Sequence, residues 1–191
     1  TFQLPLHPIL ISPFLNPFSK LGLSPQVIEV LEKLGFEQPT PIQEQAIPML
    51  LGNNPTDFIG LAQTGTGKTA AFGLPLVELI DTDNRNIQAL IMAPTRELGQ
   101  QTAKQLVSFA SNDRKLNVEC VYGGANISAQ IKAMKGPVQI LVATPGRLLD
   151  LMKRKAVRLD DVRYVVLDEA DEMLNMGFKE DIDEILEHTP E

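Results

Sequence analysis

Cysteine, histidine and unbroken apolar stretches are all scarce in this 191-residue chain, and each scarcity closes off a class of protein. With Cys120 alone, no disulfide can form within the chain. Cys120, His7 and His188 are too few to assemble a metal-ligand cluster. Neither kind of staple is needed, because a chain this long buries roughly 70% of the surface its unfolded form exposes. The shortage of cysteine favours a reducing, cytoplasmic setting. No apolar run approaches the ~18 residues of a membrane span, so no membrane partner is expected. The start, Thr1 to Pro17, is apolar but broken by Pro5, Pro8, Pro13 and Pro17. It also lacks the basic start and small-residue cleavage site of a signal peptide. It reads as a Pro-rich extended arm (1–17) ahead of a single domain (18–191). Internal repeats and low-complexity tracts are absent.

Positive charge is also short. A net charge of −7 argues against a nucleic-acid binder on its face. The distribution softens this: eight basic residues lie between Lys132 and Arg163 against Asp150, Asp160 and Asp161, and ten acidic residues then follow with Lys179 alone to oppose them. Solvated helical faces account for most such runs.

What is present is a rhythm. Ser24-Pro25, followed by Val27, Ile28, Val30, Leu31 and Leu34 and then Gly35, predicts a capped amphipathic helix with Ser24 as N-cap. A second helix is expected from Thr40-Pro41, kinked or ended by Pro48. Short apolar runs follow at Phe58–Ala62, Ala89–Ala93, Val118–Tyr122, Ile140–Ala143 and Tyr164–Leu167. They are continuous rather than alternating, as for strands buried on both faces. Helix-like stretches separate them near Lys68–Ile80, Glu97–Ala110, Ile127–Met134 and Gly146–Lys153. Strands alternating with helices predict an α/β fold, a central mostly parallel β-sheet with helices on both faces. Ligands of such sheets bind at the carboxyl ends of the strands, so the loops after each run are the informative ones.

The first of these loops reads Ala62-Gln63-Thr64-Gly65-Thr66-Gly67-Lys68-Thr69. Gly65 and Gly67 allow a tight turn that aims backbone N–H groups, from Gln63 through Gly67, at a phosphate from the start of a helix. Lys68 reaches the outer phosphates, and the Thr69 hydroxyl is placed to hold Mg²⁺. The usual P-loop pattern opens with Gly where this chain has Ala62. A metal-holding carboxylate is also required, and Val165-Val166-Leu167-Asp168 ends an apolar strand with one. Glu169 follows, placed to orient or deprotonate an attacking water. A nucleotide and Mg²⁺ are the ligands this pairing predicts.

Asp168-Glu169-Ala170-Asp171 is the tetrad that names the DEAD-box RNA helicases, and the chain resembles that family from about Phe18 to Glu191. The matching segments run in the family's order: Gly35 to Gln43, Ala62 to Thr69, Pro94-Thr95-Arg96-Glu97-Leu98, Gly123-Gly124, Thr144-Pro145-Gly146-Arg147 and the tetrad. The resemblance implies a RecA-like P-loop domain in which Gln43 reads the adenine edge and Phe18 stacks on the base. A donor–acceptor amide matches adenine N6 and N7. It further implies that the loops at Pro94-Thr95-Arg96, Gly123-Gly124 and Thr144-Pro145-Gly146-Arg147 grip the sugar–phosphate backbone of RNA. Arg96 and Arg147 suit bidentate phosphate contacts, and binding through backbone is largely sequence-independent. By the same resemblance, Lys68, Asp168 and Glu169 carry ATP hydrolysis. A second, C-terminal RecA-like domain, absent from this chain, supplies arginines that complete the site. A monomer is expected, nearly inert alone and able to remodel or unwind short RNA duplexes when joined to that partner domain. The alternatives are a nucleotide-gated RNA clamp or scaffold with little unwinding, and a different P-loop enzyme such as a DNA helicase.

Overall fold

The computed structural model describes residues 16–52, 57–63, 65–113 and 115–190. Most of the Pro-rich arm therefore lies outside the described residues. A short 3₁₀ helix, Pro17–Leu21, leads into α1 (Pro25–Lys33) and α2 (Pro41–Leu50). The α/β alternation follows as α3 (Lys68–Leu79), β1 (Ala89–Met92), α4 (Arg96–Phe109), β2 (Val118–Val121), α5 (Ile127–Ala133), β3 (Ile140–Ala143), α6 (Pro145–Lys153) and β4 (Tyr164–Leu167). Two acidic helices, α7 (Ala170–Asn175) and α8 (Lys179–Leu186), follow.

Local chemistry sets these boundaries. The Ser24 hydroxyl accepts a bond from the Val27 N–H at 3.4 Å, and Pro25 takes the first helical position, where its missing N–H costs nothing. Gly35 ends α1 at φ +78, and the Phe36 N–H reaches back to the Leu31 carbonyl at 2.9 Å, the six-to-one bond of a Schellman stop. The Phe36 ring then meets Phe18 and Phe109 edge-on, each at 6.0 Å between centroids. Pro48 does not end α2. It sits on an exposed position, and the helix continues to Leu50 with one bond fewer.

The four strands form a wholly parallel sheet in the order β2-β3-β1-β4. Side chains alternate across it. Ala89, Ile91, Ile140 and Val142 face a core built with α1, α2, α3 and α4. Leu90, Met92, Leu141 and Ala143 face a second core with α6, Met173 of α7 and Ile182 and Ile185 of α8. Helices thus cover both faces, and the central β1 and β3 are buried throughout. The outer strands are not: Val165 and Leu167 of β4 are each 39% exposed.

The expected strand at Phe58–Ala62 is not one. Residues 57–63 join no ladder, and Ile59 and Leu61 are 86% and 93% exposed. An apolar run becomes a strand only when a neighbour satisfies its N–H and C=O groups, and no described strand lies against it. Three of the eight basic residues in the run are ion-paired at the surface: Lys153 with Glu184, Arg154 with Asp150 and Arg158 with Asp160. Such exposed pairs contribute at most about 1 kcal/mol each. Among the described residues no helix is long and apolar enough to cross a membrane.

Candidate nucleotide and nucleic-acid site

Strand register brings the informative loops to one edge. Met92 pairs with Ala143 and with Leu167, and Ala143 pairs with Val121, so all four strands end at the same level. Pro94-Thr95-Arg96, Gly123-Gly124, Thr144-Pro145-Gly146-Arg147 and Asp168-Glu169 therefore leave the sheet side by side.

At the phosphate loop, Gly65 and Gly67 adopt φ +84 and +87, the left-handed region open to glycine. Gly67 is the N-cap of the 12-residue α3, and no side chain caps that end. The first-turn N–H groups, which have no carbonyl within the helix, are thus available to an anion together with the positive end of the helix dipole. Lys68 and Thr69 open the helix, and the Thr66 hydroxyl donates to the Gln63 carbonyl at 2.7 Å, closing the turn behind them. Thr64 lies outside the described residues.

Gln43 locks this loop from α2. Its Oε1 accepts the Thr40 N–H at 2.9 Å, and its Nε2 donates to the Gly67 carbonyl at 3.1 Å. The residue is 2% exposed, so the amide is engaged with the loop rather than presented to solvent. The Thr40 hydroxyl beside it is buried. Phe18 departs from its expected role. It is 0% exposed in the aromatic cluster with Phe36, and a ring so enclosed has no face to offer a base.

Asp168 is 7% exposed at the end of β4, its N–H bonded to the Met92 carbonyl at 2.9 Å. Burial pushes its carboxyl above the ordinary 3.8, and the nearby Lys68 ammonium pulls it back. Glu169 adds a repulsive charge in the same direction as burial, while the buried Thr102 hydroxyl of α4 stands close enough to pull weakly the other way without closing a hydrogen bond. Lys68 and Asp168, exactly 100 residues apart in the chain, are thereby brought into one electrostatic neighbourhood. Glu169 caps α7 at φ +54, a conformation costing a non-glycine residue about 1–3 kcal/mol. Strain of that kind concentrates where side-chain aim matters more than stability.

On the other loops, Pro94 is buried, and the Thr95 hydroxyl caps α4 by accepting the Leu98 N–H at 3.2 Å. Arg96 is exposed, its guanidinium 5.0 Å from the centroid of the Tyr122 ring. Gly123 and Gly124 are exposed, with no atom within 4 Å of where a Cβ would stand. Thr144 and the buried Pro145 open α6, and Gly146 is exposed there. Arg147 Nη1 donates to the Ala125 carbonyl at 3.1 Å and to Gln130 Oε1 at 2.8 Å. Sequence reasoning passed over Tyr122, Gln130 and Thr102. A tyrosine directly before a Gly-Gly pair and a glutamine on the buried face of a short helix were the available signals.

The residues fit a magnesium nucleotide. An uncapped glycine turn with Lys68 at the helix start suits phosphates, and a single buried carboxylate beside it suits Mg²⁺, which takes most of its ligands from phosphate and water. No group of three or more His, Cys, Asp or Glu side chains able to hold a metal is found among the described residues.

Comparison with known proteins agrees with this geometry. Residues 40–191 match the profile of the DEAD/DEAH box helicase family. The chain is 56% identical over 174 residues to the ATP-dependent RNA helicase CshA of Limosilactobacillus reuteri, covering 91% of this chain and 34% of that protein. It is 51% identical over 173 residues to the DEAD-box ATP-dependent RNA helicase CshA of Bacillus subtilis, with 91% and 34% coverage. Among solved structures, a DEAD box protein of the hyperthermophile Methanococcus jannaschii superposes with a TM-score of 0.85 at 42% identity, covering 91% of this chain and 47% of that one. Dbp5 of S. cerevisiae bound to RNA and ADP BeF3 gives 0.83 at 34% identity, with 93% and 44% coverage. The chain spans about a third of the length of these curated relatives.

Proposed function

This chain belongs to the DEAD/DEAH box helicase family, and from that we infer that it is the ATP-binding RecA-like domain of an ATP-dependent RNA helicase. The observation that carries the reading is the shared sheet edge. The Asp168–Glu169 pair leaves the sheet beside three loops suited to a phosphodiester backbone, and Lys68 of the glycine turn stands close enough to Asp168 to act on its charge.

Phosphates are held by the first-turn N–H groups of α3 and by Lys68, whose charge also steadies ionised Asp168. Thr69 and Asp168 would hold Mg²⁺, which would supply positive charge to the phosphate oxygens. Glu169 orients the attacking water and accepts its proton. Gln43 keeps one amide hydrogen and one carbonyl lone pair beyond its bonds to Gly67 and Thr40, and at 2% exposure it must turn outward from the glycine turn before adenine can meet them. RNA is gripped through its backbone by Arg96, the Gly123-Gly124 turn, the N-terminus of α6 and the remaining N–H groups of Arg147. A second RecA-like domain supplies further charge to the γ-phosphate, so the isolated domain binds nucleotide and RNA but turns over slowly. Such charge is worth ~10³–10⁵ in rate.

Calorimetric titration of this chain with ADP and GDP in magnesium buffer tests the nucleotide assignment. Tighter binding of ADP is expected; equal affinities would overturn it.

A further inference from the structure

We propose that Tyr122 and Gln130 are positioning residues that wire the three RNA-facing loops into one pre-formed grip, an inference that rests on the RNA reading above. A continuous chain of contacts runs across the loops. The Arg96 guanidinium lies over the Tyr122 ring at 5.0 Å, and its Nε donates to Gln100 Oε1 at 3.5 Å. Gln100 Nε2 in turn donates to the Tyr122 hydroxyl at 2.9 Å. Gln130 Nε2 donates to the Tyr122 carbonyl at 3.3 Å, and Gln130 Oε1 accepts from Arg147 Nη1 at 2.8 Å. That same nitrogen donates to the Ala125 carbonyl, just past the Gly123-Gly124 turn.

Each link restrains something that RNA needs. Arg96 is a long exposed side chain, and the ring beneath it with the amide beside it hold its fork in one place. The exposed Gly123-Gly124 turn has no side chain of its own to fix it. Gln130 and Arg147 tie down the residues on either side. Gln130 is 8% exposed, with both ends of its amide spent on two different loops, so it acts through them and not on RNA. Ordering these groups before RNA arrives removes an entropic cost from binding.

The test is fluorescence anisotropy of a labelled oligouridylate at several salt concentrations, using the wild-type chain and the variants Tyr122→Leu, Tyr122→Phe, Gln130→Leu and Arg96→Ala, with ADP affinity as the check on folding. Tyr122→Leu and Gln130→Leu are expected to weaken RNA binding about three- to fivefold with ADP affinity unchanged. Tyr122→Phe, which keeps the ring under Arg96, should lose about twofold or less. Arg96→Ala removes a phosphate contact and lowers the salt slope by about one, whereas Tyr122→Leu leaves the slope as it was. In the Arg96→Ala background, Tyr122→Leu should cost less than it does alone, because the two residues act as a unit. Tyr122→Leu binding RNA as tightly as wild type, or losing the same factor with and without Arg96, overturns the proposal. If the Tyr122→Leu protein loses ADP binding as well, Gln130→Leu decides in its place: RNA binding as tight as wild type, with ADP affinity intact, overturns the proposal. A wild-type chain that binds no RNA at all sinks the underlying RNA reading first.

Discussion

Replacing Gly67 with alanine is expected to loosen the fold and the nucleotide site together. Gly67 sits at φ +87, where an L side chain costs about 1–2 kcal/mol. A Cβ there would fall inside the contact distance of Gln43 Nε2 and 3.2 Å from the buried Thr40 hydroxyl. Gln43 must then swing away, losing its bond to the Gly67 carbonyl, a further loss of about 1 kcal/mol. The total of roughly 2–3 kcal/mol corresponds to a fall in Tm of about 4–12 °C for a domain of this size. ADP affinity should fall with it, since the displaced loop is the one proposed to hold phosphate. Gly123→Ala is the control. Its Cβ meets nothing within 4 Å, so stability should stay within about 0.5 kcal/mol of wild type. Thermal denaturation followed by circular dichroism reads both. A Gly67→Ala protein melting within about one degree of wild type would refute the close-packed loop described here.

Gln43→Ala should narrow the preference for ADP over GDP by roughly tenfold or more, while Lys68→Ala should weaken both nucleotides alike; calorimetry separates the two outcomes. Single-stranded RNA should bind this chain with an affinity that falls steadily as salt rises and hardly changes with base sequence, because the proposed contacts go to phosphate. Anisotropy titrations that show one strongly preferred sequence would contradict it. Burial pushes the Cys120 thiol from its ordinary 9.0 up to about 11. Roughly a hundredfold less thiolate is therefore present near pH 8 than in a free thiol, and alkylation followed by mass spectrometry should be slow in proportion. The sign for stability follows: between pH 9 and 11 the unfolded chain loses this proton while the folded one keeps it. Stability from this group is therefore intact below pH 9 and is lost as pH rises through that window.

The fold was legible wherever one residue or one period decided an element. Ile140–Ala143 and Tyr164–Leu167 are strands with the bounds their apolar runs suggest, because β-branched and large aliphatic residues flanked by turn formers leave little else. The run Phe58–Ala62 is also apolar, though with Gly60 at its centre, and it is unpaired, since composition cannot say whether a neighbour stands beside it. At the site, spacing within a loop was readable. Gly65 and Gly67 take left-handed conformations, Lys68 and Thr69 open α3, and Asp168 ends its strand at the level of the other loops. What spacing hid was the occupation of side chains. Phe18 is enclosed by Phe36, Gln43 is bonded to Gly67, and Arg147 is partly spent on Gln130 and Ala125. Each of these partners is distant in sequence and is set by packing, which no motif records.

The most direct test is steady-state ATP hydrolysis by this domain joined to the second RecA-like domain proposed above, measured with and without single-stranded RNA. The account predicts that RNA raises turnover sharply and that Glu169→Gln abolishes the rise while leaving ATP affinity intact. Turnover indifferent to RNA, or a Glu169→Gln protein that still responds to it, would contradict the proposal that one sheet edge joins the nucleotide and the RNA.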